Sequence, residues 1–303
     1  MWPVLESNPN RHTPPCQILR FPKVVNWKPH KERQTNPWFF PIVALNHKQL
    51  MRFTLMAPNT VTGGMENVVD SLLKLIGIGR AIAKKLSECG AETIALSRTQ
   101  ADLDSLKAEN SNIHTVQCDL GDWDSTRKVI ESLGRIDLLV NNAGVSRLDT
   151  FLNFKKEDLD FVYDINIKAV INVSQVVAKG MVERGNGGAV VNISSTASTR
   201  ALTDHIAYCS SKAAVDMITK IMALELGPHK IRVNSVNPTV TWTDMAQYAW
   251  SDPAKSGPML AKIPMGKFVE VEDVVNSVLF LLSDKSAITN GAHMVLDGGL
   301  SVA

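Results

Sequence analysis

From residue 77 onward the apolar positions fall into two alternating patterns. Residues 78–88, 101–108, 123–133, 161–183, 208–226 and 271–282 place apolar side chains at helical spacing. Between them lie short, nearly unbroken apolar runs at 92–96, 113–118, 136–141, 188–193, 232–237 and 293–296, the form taken by strands buried on both faces. Strands alternating with helices of this length predict an α/β fold, a doubly wound parallel sheet covered on both sides, in a single domain over residues 65–303.

Residues 1–64 read differently. The first sixty hold nine of the fourteen prolines and three of the six tryptophans, with no sustained period of either kind. They also carry eight Lys or Arg against two acids, a net of +6; since the chain totals +2, the remainder stands at −4. An irregular basic extension is expected there, poorly ordered and solvated. No nucleic-acid docking motif accompanies the charge, so no nucleic-acid partner is expected. Pro14, Pro15 and Pro22 break any amphipathic targeting helix, and no apolar run reaches the roughly 18 residues of a membrane span. Cys16, Cys89, Cys118 and Cys209 are scattered without a CxxC pair, which favours a reduced, cytoplasmic setting over a disulfide framework; no metal is expected.

Candidate chemistry concentrates between Ser194 and Lys212. The run GAVVNI reads as a strand that ends at Ser194 and Ser195, and open α/β sheets bind ligands at the carboxyl ends of their strands. Tyr208 and Lys212 are four residues apart, so on a helix they share a face and the ammonium lies near the phenol. Such a pair also arises by chance; its position after that strand singles it out.

In their order and spacing, GIGRAIA at Gly77, LSRTQADLDSL at Leu96, CDLGDW at Cys118, LLVNNAG at Leu138, NISS at Asn192, YCSSK at Tyr208, MALELGPHKIRVNSVNPT at Met222 and LDGG at Leu296 resemble the short-chain dehydrogenase/reductases, over about residues 77–303. Thr239, where most members have glycine, resembles the xylulose and carbonyl reductase branch. The resemblance implies a Rossmann-like sheet and NADP-dependent reduction of small carbonyls such as L-xylulose, diacetyl and other dicarbonyls. It implies a catalytic set of Asn166, Ser195, Tyr208 and Lys212. Tyr208 would give a proton to the carbonyl oxygen, Ser195 would hold that oxygen, Lys212 would bind the nicotinamide ribose and favour the tyrosinate, and Asn166 would hold a relay water. Drawing a tyrosine pKa from about 10 toward neutrality needs on the order of 4 kcal/mol, which an ammonium and a positive nicotinamide ring can supply.

The same resemblance places Gly77, Ile78 and Gly79 at the pyrophosphate, Asp119 and Leu120 at the adenine, and Asn141, Ala143 and Gly144 beneath the adenosine. Pro238, Val240 and Thr243 match the segment over the nicotinamide. At the end of the second strand Ser97, Arg98 and Thr99 offer a cation and hydroxyls suited to a 2′-phosphate, where an acid would favour NAD. His205 and Trp250 match substrate contacts, and a homotetramer is implied.

One part departs from the pattern. The family's first strand runs into Thr-Gly-x-x-x-Gly-x-Gly, whose amides cradle the pyrophosphate. Here GIG is preceded by SLLKLI, and the nearest candidate for the missing half is Val61 to Gly64. Gly63 and Gly77 stand fourteen positions apart where the motif needs four, and the segment between them reads as helix. The first strand and glycine loop are therefore expected to be damaged, which leaves a second function open: a catalytically impaired oligomer subunit or interaction protein.

Overall fold

The computed structural model describes residues 52–56, 77–243, 246–247 and 250–303. The candidate glycine turn at Val61 to Gly64, the helix read before Gly77 and residues 1–51 lie outside the described residues.

Strand β1, Arg52–Met56, precedes helix α1, Ile78–Glu88. Next come β2 (Glu92–Ser97), α2 (Gln100–Glu109), β3 (His114–Gln117), α3 (Trp123–Ser132) and β4 (Leu138–Asn141). A helical hairpin half follows, α4 (Lys156–Tyr163) continuing through a π-turn, Asp164–Lys168, into α5 (Ala169–Arg184). Beyond it are β5 (Gly188–Ile193), α6 (Ile206–Leu226), β6 (Ile231–Pro238), α7 (Pro253–Leu260), α8 (Val271–Leu282) and β7 (His293–Leu296). Among the described residues seven strands, all parallel, form one sheet in the order β3-β2-β1-β4-β5-β6-β7.

Alternation along the strands divides the core between the two sheet faces. Ala95, Leu138, Val140, Ala189 and Val191 join α1, α2 and α8 through Ile82, Leu86, Leu106 and Val278. Ile94, Leu96, Leu139 and Val190 turn the other way, onto Ile130 of α3, Val173 and Val177 of α5, and Ala223 of α6. This is the two-sided burial that the unbroken apolar runs predict.

Two expectations are corrected here. The central strand lies at Arg52–Met56, within the stretch assigned to the irregular extension, so the sheet begins before residue 65. Its five residues give too short a pattern to stand out beside nine prolines. The single helix read at 161–183 begins at Lys156 and widens to π geometry over DINIK, an interruption that side-chain periodicity does not encode. No helix among the described residues is long and apolar enough to cross a membrane.

Candidate active site

Because the chain leaves β1 outward to β2 and β3 and returns on the other side as β4, the sheet has a switch point between β1 and β4. The residues at and just beyond the strands' carboxyl ends open onto the crevice this creates: Ser97 to Thr99 at the end of β2, Asp119 after β3, Asn141 to Gly144 at the end of β4, Ser194 and Ser195 after β5, and Pro238 to Thr243 at the end of β6.

Ser195, Tyr208, Lys212 and Asn166 are brought together there. Ser195 Oγ is buried, reaches the Pro238 carbonyl at 3.3 Å, accepts from the Ala197 amide at 3.1 Å and is hydrogen-bonded to the Tyr208 phenol. Lys212, one turn after Tyr208 on α6, is buried; its Nζ donates to the Ile193 carbonyl at 2.9 Å and stands 5.6 Å from the Tyr208 ring centroid. Gly144 faces the same ammonium: a Cβ there would lie 3.2 Å from Lys212 Nζ and 3.7 Å from Asn166 Oδ1. Any side chain at residue 144 would fill the space beside the lysine.

Burial sets the charge states. It lowers the Lys212 pKa to about 8, with Asp216 acting in the opposite direction. Burial pushes the Tyr208 phenol above its ordinary value, the Ser195 hydrogen bond pulls it down, and Cys209 adds a small upward push. The expected drift of the phenol toward neutrality is thus not produced by the chain's own groups. The reason is geometric: the ammonium lies over the ring, anchored to a backbone carbonyl. Tyr208 holds its proton at neutral pH.

Asn166 sits in the π-turn and is fully buried. Its Nδ2 donates to the Val145 carbonyl and to Ser211 Oγ, both at 2.9 Å, and its Oδ1 accepts from the Val145 amide at 2.7 Å. Both amide hydrogens are engaged, so the side chain clamps the β4 loop to α6. The extra residue per turn of a π segment aims it there, and such bulges are frequent at functional sites.

The groups suited to a dinucleotide are partly assembled. Gly77 caps α1 at φ +82°, a conformation that side chains resist, and a Cβ there would come within 2.9 Å of Thr243 Cγ2. Ile78 and buried Gly79 begin the helix, whose first-turn amides and dipole favour an anion. The Arg98 side chain, half-buried after β2, has no ion-pair partner among the described residues, while Ser97 Oγ accepts from the Thr99 amide at 3.3 Å. An unpaired guanidinium beside two hydroxyls fits a phosphate. Asp119 is exposed and folds back on the Gly121 amide at 3.0 Å. Ala143 and Leu120 are buried in the core cluster, and Val240 holds the Val269 amide through its carbonyl at 3.1 Å.

The Asn141 side chain is engaged within the sheet. Its Nδ2 donates to Asn192 Oδ1 at 2.8 Å and Ser174 Oγ at 3.0 Å, joining β4 to its register partner on β5. Of the substrate candidates, His205 meets Tyr208 edge-on with ring centroids 6.3 Å apart, and its Nδ1 lies 2.5 Å from the Thr203 carbonyl. Trp250 tilts against Phe268 at 5.6 Å and packs, partly buried, on a satellite cluster with Ile263 and Leu300. Three contributors escaped the sequence reading: Ser211 and Val145, which engage Asn166, and Asp216. The last had a signal, since it follows Lys212 by one helical turn.

A family model described as enoyl-(acyl carrier protein) reductase, of the short-chain dehydrogenase/reductase type, matches residues 74–301. The chain is 56% identical to human (Homo sapiens) L-xylulose reductase, over 74% of this chain and 91% of that protein. It is 55% identical to D-erythrulose reductase of Gallus gallus, over 75% of this chain and 92% of that protein. Among solved structures, a gluconate 5-dehydrogenase of Burkholderia cenocepacia in complex with NADP and tartrate superimposes with a TM-score of 0.71 at 28% identity, covering 84% of this chain and 96% of the other.

Proposed function

We propose that this chain, which belongs to the short-chain dehydrogenase/reductase family, is an NADPH-dependent reductase of small carbonyl compounds, acting on ketose sugars such as L-xylulose and on dicarbonyls such as diacetyl. The observation that carries the reading is the convergence of Ser195, Tyr208 and Lys212 at one strand end, with Asn166 clamping the loop that faces them. NADP is the cofactor, and the unpaired Arg98 beside Ser97 and Thr99 is the group that would hold its 2′-phosphate. The α1 N-terminus after Gly77 would take the pyrophosphate, and Lys212 the ribose of the nicotinamide. When bound, the cofactor supplies the hydride.

The chain's own residues supply the rest. Ser195 donates a hydrogen bond to the substrate oxygen, turning from the Pro238 carbonyl that it now engages. Tyr208, neutral because burial raises its pKa, transfers its phenolic proton to that oxygen. Lys212 presents a positive charge to the phenolate left behind, as long as the pH stays well below about 8, where half of its ammonium is lost. His205 borders the carbonyl pocket beside Tyr208. Asn166 acts on these groups by position. The assembly is a homotetramer, as the resemblance implies, in the cytoplasm.

A second reading has one observation in its favour. Twenty residues, 57–76, separate β1 from Gly77, where the family motif requires a tight turn. A loop that no longer presents its amides would leave a folded, non-catalytic subunit. Spectrophotometric loss of NADPH absorbance with L-xylulose or diacetyl separates the two: turnover of about 1 s⁻¹ or faster is expected of the reductase, and none with either substrate would establish the second reading.

A further inference from the structure

We infer that Asp216 is a positioning residue of this site, a buried carboxylate that joins the helix carrying Lys212 to the backbone of Ser195 and sets negative charge behind the lysine. The inference rests on the proposed reductase reading for its meaning, but its geometry stands apart. Asp216 follows Lys212 by one turn of α6, so both project from the same face, and both are buried. Lys212 does not close on this carboxylate; its Nζ is anchored to the Ile193 carbonyl, and Asp216 acts on it through space.

The carboxylate is instead gripped from β6. Asn237 Nδ2 reaches Asp216 Oδ1 at 3.0 Å and Oδ2 at 2.9 Å, and on its other side the Ser195 carbonyl at 3.3 Å and Ser198 Oγ at 3.2 Å. With two hydrogens, the amide forks one to the carboxylate and one to the serine turn. A single side chain thereby fixes Asp216 relative to the residue that would hold the substrate oxygen.

Behind Asn237 the arrangement continues to β7. Ser235 Oγ lies 2.6 Å from Asn237 Oδ1 and 2.7 Å from His293 Nδ1. An amide oxygen only accepts, so the one hydroxyl hydrogen of Ser235 goes to Asn237, and His293 must donate from Nδ1. That assigns the tautomer of His293, which approaches Asp216 Oδ1 at 3.7 Å and buries an Nε2 with no partner among the described residues. The titratable groups facing Asp216 are therefore Lys212 on α6 and His293 on β7; β6 and the Ser195 turn contribute only serine and asparagine. Lys212 in turn meets Tyr208, Asp216 and uncharged backbone.

A nearby carboxylate favours the charged form of an ammonium, so removing it lowers the pH at which Lys212 loses its proton. The test is Asp216→Asn, followed by the NMR titration of ¹³Cε-labelled lysine in the protein without cofactor, the Lys212 resonance being assigned with Lys212→Met. The Lys212 midpoint is expected near 8 in the parent and lower by about one pH unit in the variant. The alkaline limb of kcat/KM should move down by the same amount. Asp216→Ser serves if the asparagine variant does not melt cooperatively. An unchanged midpoint in whichever variant folds overturns the inference. A shifted midpoint in a protein that shows no NADPH oxidation upholds it and counts against the reductase reading alone.

Discussion

Tyr208→Phe is expected to lower kcat for carbonyl reduction by about 10²- to 10⁴-fold, the worth of a positioned proton donor. The substitution removes one oxygen and keeps the ring that lies under the Lys212 ammonium and edge-on to His205, so the packing at the start of α6 is retained. The lost oxygen is also the hydrogen-bond partner of Ser195. That hydroxyl keeps its bonds to Pro238 and Ala197, which limits the structural cost. NADPH affinity should fall by no more than about tenfold, one neutral hydrogen bond's share. Stopped-flow or steady-state rates beside a fluorescence titration of NADPH read the two effects separately. A variant that keeps its turnover within tenfold of the parent would remove Tyr208 as the acid.

The second large effect is expected at Asn166. Asn166→Ala deletes three buried hydrogen bonds and leaves the Val145 amide and carbonyl without partners between the β4 loop and α6. Orphaned buried groups cost about 1–3 kcal/mol each. Partial relaxation brings the expected loss to about 2–4 kcal/mol, a fall in Tm of roughly 4–16 °C for a domain of this size. Activity should fall with it by about 10²-fold, because the loop that shifts carries Gly144 against Lys212. Differential scanning calorimetry and kcat measured well below the lowered Tm check both. A variant as stable as the parent would show that the clamp carries no strain-free energy of its own.

These two residues illustrate how unevenly the sequence displays the site. The Tyr208–Lys212 spacing, on a helix after an apolar strand, sets out a pair on one face, and the fold places them so. Ser195 is equally legible, since it follows a strand whose end has to face the crevice. Asn166 is not: it stands in a π-turn, and DINIK has no periodicity that would distinguish π from α geometry. Asn141 closes the fourth strand beside the crevice, and the alternation of the pleat turns its side chain inward to Asn192, which the sequence does not display. Trp250 likewise has its partners, Phe268 and Ile263, far along the chain. Strand β1 is hidden by composition, and its position at the centre of the sheet is settled by pairing with β2 and β4, which no local pattern carries.

The charge states follow the same division. A lysine near a tyrosine suggests mutual stabilisation, yet the depth of burial decides the direction for each, upward for the phenol and downward to about 8 for the ammonium. Depth is a property of the packed sheet and helices, not of YCSSK. Well below pH 8 the site therefore holds a proton on both groups, the state in which a carbonyl can be protonated as it is reduced.

The most direct measurement is a calorimetric titration of NADPH, with NADH beside it, into the purified full-length chain. NADPH is expected to bind with a Kd on the order of 10⁻⁶ M and NADH about 10- to 100-fold more weakly, the difference that a 2′-phosphate held by Arg98, a side chain with no ion-pair partner among the described residues, would make. No heat of binding up to about 1 mM NADPH would contradict this expectation and leave the chain a folded member of its family without a hydride donor.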